Sequence, residues 1–107
     1  MNMNLKGSLP LLILHILQEG ENHGYRIAKH IKEQSEGVLD FKEGTLYPTL
    51  HTLEAQGQIS ATDHIENGRT RRYYRLTDMG KNTLMTQLAE WERFSSAVNR
   101  VLNGGEA

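Results

Sequence analysis

The spacing of apolar positions changes several times along the chain, and the first changes mark two helices. The segment from Leu9 to Leu17 is apolar nearly all round, which predicts a central core helix. Ser8 is a good N-cap for this helix, with Pro10 in the first turn, where backbone N–H groups lack partners. A second helix is expected from the turn at residues 22–24 to about Gln34. We place four of its residues on the buried side: Tyr25, Ile27, Ala28 and Ile31.

A third helix carries a narrower apolar stripe, with leucines at i, i+4 and i+7 (Leu46, Leu50 and Leu53). Pro48 lacks a backbone N–H and fits within a first turn, so the helix is predicted to begin near Gly44 or Thr45. Gly57 is expected to end it as the C′ glycine. The side opposite the stripe is short and uncharged, which is unusual for a solvent face. It consists of Gly44, Thr45, Pro48, His51 and Thr52.

Residues 58–77 change to a period of two, which predicts a pair of strands. Asn67-Gly68 lies between them, and Asn-Gly is the strongest short signal for a hairpin turn. Alternation along the second strand indicates that only one of Tyr73 and Tyr74 packs on the core. Three helices followed by a hairpin is the order of a winged helix-turn-helix. The predicted fold class is therefore mainly α with a small β-hairpin, followed by a long C-terminal dimerisation helix.

The last helix is predicted to start at Asp78, capped by Thr77, and to reach about Leu102. A small domain cannot cover so long a helix, so its apolar seam predicts a two-fold homodimer; the alternative is that the helix folds back on its own domain. We divide the chain into a winged helix-turn-helix DNA-binding domain (1–77), a dimerisation helix (78–102) and a frayed tail (103–107). The seam has heptad spacing and consists of Leu84, Leu88, Trp91, Ser95, Val98 and Leu102, widened by Met85, Phe94 and Val101.

Trp91, the single tryptophan, lies in the middle of this seam, close to the small Ser95. A large aromatic beside a small residue could line a cavity between two protomers and accept a flat apolar ligand. Equally, Trp91 could simply pack the interface. A small aromatic effector at Trp91 and Ser95 is therefore one of two readings of this position.

The composition is that of one ordinary domain of 107 residues without cysteine, which excludes disulfides, thiol nucleophiles and thiolate metal sites. The five histidines show no metal-ligand spacing, and the sequence contains no nucleophile elbow or phosphate-binding glycine loop. We therefore expect neither an enzyme nor a cofactor. No apolar stretch approaches the ~20 residues of a membrane span, and no signal-peptide pattern is present, so we expect a cytoplasmic protein.

The distribution of charge is more informative than its total, which is −1 from 12 basic and 13 acidic residues. Clustered arginines at a hairpin tip repel one another and favour a polyanionic partner. A solubilising edge against strand pairing is the alternative, but edges of that kind usually employ lysine and mixed signs. Four of the seven arginines lie within residues 69–75, a segment without an acid: Arg69, Arg71, Arg72 and Arg75.

Together, the third helix and the hairpin predict an interface with double-stranded DNA. Short side chains let a helix approach base edges in the major groove, and hydroxyls or an imidazole serve base and phosphate contacts. A two-fold dimer would place two such helices about 34 Å apart, on a palindromic operator. Two other classes stay open: a winged-helix module that binds an acidic protein without sequence-specific DNA binding, and one that binds structured RNA. The candidate contacts on the helix are Thr45, Tyr47, Thr49, His51 and Thr52.

Three motifs, in the same order along the chain, resemble the PadR family of bacterial transcriptional regulators. Lys42-Glu43-Gly44-Thr45-Leu46-Tyr47-Pro48, continued to Glu54, resembles the signature of the family's recognition helix. His23-Gly24-Tyr25 and the segment from Gly68 to Thr77 resemble the family's second helix and wing. The resemblance extends from about Gly7 to Leu102 and is that of the short subfamily, which has a single C-terminal dimerisation helix.

The resemblance implies a homodimeric repressor that is released from operator DNA by a small, often aromatic, effector. It places Thr45 and Tyr47 where family members contact DNA, Arg69 and Arg71 in the wing, and Trp91 where some members face a ligand cavity. The full set of candidate DNA-binding residues is then Lys42, Thr45, Tyr47, Thr49, His51, Arg69, Arg71, Arg72 and Tyr74.

Overall fold

The computed structural model describes residues 5–104, and this part of the chain is mainly helical with one small antiparallel sheet, as the sequence predicts. Of the tail that is expected to fray, residues 105–107 lie outside the described residues. None of the described helices is long and apolar enough to cross a membrane. In chain order the elements are α1 (Leu5–Gln18), β1 (Asn22–His23), α2 (Gly24–Gln34), α3 (Glu43–Ala55), β2 (Ile59–Glu66), β3 (Arg69–Leu76) and α4 (Asp78–Leu102).

The core is built around α1, whose leucines and isoleucines are buried against α2, α3 and the base of the sheet. From α2, Ile27 and Ile31 enter this core, as predicted. Tyr25 does not: its side chain is 66% exposed, and its prediction as a buried residue is wrong. The physical reason is helical periodicity, because a residue two positions before Ile27 lies about 200° away from it around the helix.

Two helices begin earlier than their prolines indicate. α1 begins at Leu5, so Ser8 lies inside the helix and is not its N-cap. α3 begins at Glu43, one residue before the earlier of the two predicted starts. Pro10 and Pro48 are each the sixth residue of their helix rather than first-turn residues. A proline at this position removes only the hydrogen bond to the carbonyl of the helix's second residue, so a full turn can precede it.

The end of α3 and the start of α4 are joined by backbone and hydroxyl hydrogen bonds. Gly57 has φ +77° and its N–H donates to the Glu54 carbonyl at 3.0 Å, while the N–H of Gln58 donates to the Leu53 carbonyl at 3.0 Å. This is the Schellman arrangement expected of a C′ glycine. The Thr77 hydroxyl donates to the Gly57 carbonyl at 2.6 Å and accepts from the N–H of Gly80 at 3.1 Å, so it caps α4 as predicted.

The hairpin of β2 and β3 turns at Asn67 and Gly68, whose φ values of 51° and 77° are both positive, as a two-residue type I′ turn requires. The pairing register sets Ile59 opposite Leu76 at the base and Glu66 opposite Arg69 at the tip. A third strand, β1, pairs with the outer edge of β3. The sequence pattern missed β1 because a strand of two residues shows no periodicity.

The 25-residue helix α4 packs on α1 at its start and carries the predicted seam along the rest of its length. Leu84 is only 2% exposed and belongs to the core of its own domain, so its prediction as a dimerisation residue is wrong. It lies on the first two turns, where α1 covers the helix. Each of the other large seam side chains has at least one third of its surface exposed: Leu88, Trp91, Phe94, Val98 and Leu102.

Candidate nucleic-acid interface

A cleft of about 560 Å³ lies between α3, the start of α2 and the hairpin. It brings together predicted residues that are distant in sequence, namely Tyr47 and His51 from α3 with Arg71 and Arg72 from β3. The helix spacing explains the first pair, because Tyr47 and His51 are separated by one turn on the flank of α3 that faces the hairpin. The cleft is therefore a polar, partly cationic groove between the third helix and the wing.

Tyr47 is held at the edge of this cleft by the first residue of α2. Gly24 is buried, and a Cβ placed on it would lie 2.9 Å from Tyr47 Cε1 and 3.1 Å from the phenolic oxygen. The ring of Tyr47 therefore occupies the space that a larger residue at position 24 would take. This contact explains in physical terms why a glycine stands between His23 and Tyr25, and the sequence pattern gave no sign of it.

The hydroxyls of α3 are partly engaged within the helix. Thr49 donates to the Thr45 carbonyl at 2.8 Å and Thr52 donates to the Pro48 carbonyl at 3.0 Å. A hydroxyl whose proton is engaged in this way keeps its lone pairs, so it can accept from a base amino group but not donate to a phosphate oxygen. Thr49 and Thr52 thus suit base edges better than the backbone contacts that the sequence also allowed.

The two faces of β3 have different roles. Thr70, Arg72, Tyr74 and Leu76 alternate onto the side of the helices, whereas Arg69, Arg71, Tyr73 and Arg75 share the outer side. Tyr74 is 1% exposed and packs in the core, where burial raises its pKa. A side chain without accessible surface cannot contact DNA, so the prediction of Tyr74 as a DNA-binding residue is wrong. Tyr73 is half-exposed and donates its hydroxyl to Glu66, which raises its pKa.

Arg71 projects from the outer side of β3 to a buried histidine. Its Nη1 lies 3.0 Å from Nε2 of His23, and the other ring nitrogen, Nδ1, accepts from the N–H of Arg26 at 3.4 Å, which caps α2. A neutral imidazole has only one acceptor nitrogen, so the tautomer of His23 decides which of the two contacts is a hydrogen bond. Burial, together with the charges of Arg71 and Arg26, lowers the pKa of His23. Arg71 is therefore held by a neutral partner and keeps its full charge for an anion.

Arg72 has the opposite environment, because two carboxylates face it. Its Nη2 donates to Glu54 Oε2 at 2.7 Å, and its Nη1 lies 3.5 Å from Asp63 Oδ1. The hydrogen bond to Glu54 raises the pKa of Arg72. The sequence segment around the arginines contains no acid, but the neighbouring strand and α3 supply two. Although residues 69–75 contain no acid, Arg72 is therefore not without a counter-charge in the folded protein.

The remaining predicted residues lie apart from the cleft. Lys42 precedes α3 and pairs with Asp40 at 3.2 Å, and the Lys42 hydrogen bond lowers the pKa of that carboxyl. It borders a separate groove of about 740 Å³ between α2 and α3, which it shares with Tyr47. Arg69 is exposed beside the hairpin turn, with Glu66 opposite it in the strand register. Neither Lys42 nor Arg69 lines the cleft itself.

Comparison with known proteins identifies the family. Residues 13–86 match the model of the transcriptional regulator PadR-like family. The chain is 33% identical to the transcriptional regulator Rv3488 of Mycobacterium tuberculosis, over 95% of this chain and 89% of that protein. It is also similar to the crystal structure of a PadR family transcription regulator from Clostridium difficile R20291, with 35% identity and a TM-score of 0.79 over 90% of this chain and 99% of the other.

A third similarity is to a protein seen on DNA. The crystal structure of Bacillus subtilis PadR in complex with operator DNA has a TM-score of 0.69 to this chain at 33% identity, covering 75% of this chain and 46% of that one. These matches agree with the winged-helix fold. The chain belongs to the PadR-like family of transcriptional regulators and is a regulator rather than an enzyme.

Proposed function

We propose that this protein is a homodimeric repressor that binds palindromic, double-stranded operator DNA. In this proposal α3 enters the major groove and the tip of the hairpin lies on the adjacent phosphate backbone. The observation that carries it is the cleft in which Tyr47 and His51 of α3 lie beside Arg71 of the hairpin. The similarity to a PadR protein that was crystallised in complex with operator DNA supports binding to operator DNA.

Within this interface the residues divide by chemistry. Thr45, Tyr47, Thr49 and His51 lie on or beside the exposed side of α3 and are proposed to contact base edges, which carry the sequence information. Lys42, Arg69 and Arg71 are proposed to contact phosphates, which supply affinity without sequence preference. Arg69 and Arg71 are suited to this role because neither forms an ion pair with a carboxylate among the described residues.

The dimer is proposed from the exposed side of α4. Trp91 and Phe94 are 38% and 37% exposed, with ring centroids 6.2 Å apart, and Leu88 and Val98 extend the same stripe by one turn on either side. A stripe of this length on a single helix is an apolar surface that a second copy of the same helix can bury. Pairing of two α4 helices would also set two α3 helices on successive turns of the duplex.

The effector site is proposed at the same seam, at Trp91 and Ser95. Ser95 is half-buried, and its hydroxyl donates to the Glu92 carbonyl at 3.3 Å. Because the serine side chain is short, it fills little of the space beside the indole of Trp91. In a dimer, two indoles and two small residues would face one another across the two-fold axis. A small planar aromatic compound between them would alter the angle between the protomers and hence the spacing of the two α3 helices.

Selection from random-sequence DNA tests the proposal most simply. The wild-type protein is expected to enrich an inverted repeat with half-sites about 10 base pairs apart, bound by two chains. The Tyr47→Ala variant is expected to lose preference for that sequence, while Arg71→Ala is expected to weaken binding to every sequence. Enrichment of no duplex would contradict the proposal. Binding to structured RNA or to an acidic protein instead would favour the corresponding winged-helix alternative.

Repression and effector release have their own readout. A promoter that contains the selected repeat is expected to be transcribed less when the protein is added, and a planar aromatic compound that quenches Trp91 fluorescence is expected to restore transcription. Increased transcription on addition of the protein would show an activator. Saturable quenching that leaves DNA affinity unchanged would contradict the effector role of this seam.

A further inference from the structure

Arg72 lies on β3 and binds the end of the third helix, in contrast to the other arginines of the hairpin. Its guanidinium donates to Glu54 at 2.7 Å, and Glu54 lies in the last turn of α3. The same guanidinium lies 3.5 Å from Asp63, directly opposite in the strand register, and 6.0 Å from the ring centroid of the buried Tyr74. Arg72 is therefore held between the third helix, the neighbouring strand and the core.

This environment makes Arg72 a poor phosphate ligand. One guanidinium faces two carboxylates, so the group of three carries a net charge of −1 when all are ionised. A phosphate that approached Arg72 would meet the repulsion of Glu54 and Asp63 as well as the attraction of the guanidinium. Among the described residues, by contrast, the Arg71 guanidinium contacts the imidazole of His23 and forms no ion pair with a carboxylate.

The position of the contact gives it a mechanical role. Residues 63–72, which we call the distal wing, extend beyond the third strand, because β1 pairs with β3 only at Tyr73 and Tyr74. Among the hydrogen bonds and ion pairs of residues 5–104, the Arg72–Glu54 pair alone joins the distal wing to α3. On its other side the distal wing is held by Arg71 to His23 and by His64, 3.6 Å from Glu21.

We propose that Glu54 is a positioning residue for DNA binding. It does not touch DNA; it holds Arg72 and thereby sets the angle between the distal wing and α3, so that both can engage one duplex at the same time. Arg72 is then a structural partner of Glu54 rather than a phosphate contact. This inference rests on the proposed DNA-binding function and adds to it a residue that carries the wrong charge for binding DNA directly.

The negative charge of Glu54 allows a clear test, because electrostatics alone and a positioning role predict opposite changes in DNA affinity when Glu54 is replaced. If only electrostatics mattered, the Glu54→Ala variant would bind DNA more tightly, since it removes a negative charge and frees Arg72 for phosphate. If Glu54 positions the wing, the same variant binds more weakly, by about five- to tenfold, as for other coupled networks. Asp63→Ala is the matched control, because it removes a carboxylate from the same arginine but leaves the link to α3 intact.

The duplex used is the one that the wild-type protein selects from random-sequence DNA. On it, Asp63→Ala is expected to bind at least as tightly as wild type. Glu54→Gln removes the same charge as Glu54→Ala but retains an acceptor oxygen at the same distance, so it is expected to recover most of the lost affinity. The double variant Glu54→Ala/Arg72→Ala is expected to bind no more weakly than Glu54→Ala alone, because both substitutions break one contact.

Two further measurements separate positioning from a direct contact or a loss of fold. The salt slope of binding is expected to stay the same in Arg72→Ala and to fall by about 0.9 per protomer in Arg71→Ala. Amide residual dipolar couplings of the distal wing and of α3 are expected to fit one alignment in wild type and in Asp63→Ala, but not in Glu54→Ala. If Glu54→Ala does not fold, Glu54→Gln replaces it as the test variant, because glutamine keeps the volume of the side chain.

The outcomes are distinguishable. If the wild-type protein binds no duplex, the proposed function fails. If it binds and Glu54→Ala binds equally well or more tightly, DNA binding stands and the positioning role is overturned. Additive losses from Glu54→Ala and Arg72→Ala, or a lower salt slope in Arg72→Ala, would also overturn it, since they would show that Arg72 binds phosphate independently.

Discussion

Gly24 offers a way to displace Tyr47 without touching the third helix. A Cβ at position 24 would lie 2.9 Å from Cε1, 3.2 Å from Cζ and 3.1 Å from the hydroxyl oxygen of Tyr47. Ordinary contacts between carbon atoms are about 3.5–4.0 Å, so the Gly24→Ala variant has to move the ring by roughly 0.5–1 Å. The atoms that move are the far end of a half-exposed side chain, which can rotate toward solvent.

The free energy of unfolding is therefore expected to change by no more than about 1 kcal/mol, because the strain is small and alanine is the better helix former. DNA affinity is expected to fall by about three- to tenfold, because a hydrogen bond between Tyr47 and a base or phosphate weakens steeply when its geometry is displaced. The substitution thus separates function from stability. Thermal melting gives the stability, and fluorescence anisotropy with a labelled operator duplex gives the affinity.

The comparison variant is Tyr47→Ala, in which no ring remains to be displaced. If Gly24 acts only through Tyr47, the double variant Gly24→Ala/Tyr47→Ala binds DNA as Tyr47→Ala does. Wild-type affinity in Gly24→Ala would refute the role of the Tyr47 ring position. A further loss in the double variant would refute the inference that position 24 acts through this ring.

Three other predictions concern stability and assembly. Gly80→Ala is expected to lower the free energy of unfolding by about 2–3 kcal/mol in thermal melts, because its Cβ would overlap the Gln58 carbonyl oxygen. Gly44→Ala is the control, because a Cβ at position 44 has no atom within 4 Å. Because the pKa of His23 lies below its usual 6.5, the folded state binds fewer protons than the unfolded chain just below pH 6.5. The stability that His23 contributes is therefore complete above pH 6.5 and is lost as the pH falls toward the lowered pKa; a His23→Gln variant with an unchanged pH profile would contradict this. In sedimentation experiments Val98→Lys is expected to give monomers, whereas Ser96→Lys, about 200° around α4 from both Phe94 and Val98, is expected to remain dimeric; a dimeric Val98→Lys would place the interface elsewhere.

Local chemistry explains why several features of the fold could be predicted from the sequence. Asn67-Gly68 and Gly57 adopt the positive φ angles that their turns require, and Thr77 caps α4 as expected. Each of these features depends on a few adjacent residues, so the sequence pattern contains nearly all of the information. The same holds for the leucine stripe of α3, which is buried at all three positions.

Features that depend on tertiary contacts could not be predicted in this way. Leu84 fits the heptad seam by spacing, but α1 covers it, and no pattern within α4 shows how far α1 extends. Alternation along β3 indicated that one tyrosine is buried, and only the strand register shows that it is Tyr74. Glu54 lies 18 residues before Arg72, so the acid-free arginine segment gave no indication of their contact.

The central claim is that this chain binds duplex DNA through α3 and the wing. Its most direct test is the salt dependence of affinity for the selected duplex, measured for wild type and for the Arg69→Ala/Arg71→Ala double variant. With four arginines removed from a dimer, we expect binding to weaken on every duplex and the slope of log K against log salt to become shallower by about 3 to 4. An unchanged slope would contradict the claim that the wing binds the phosphate backbone.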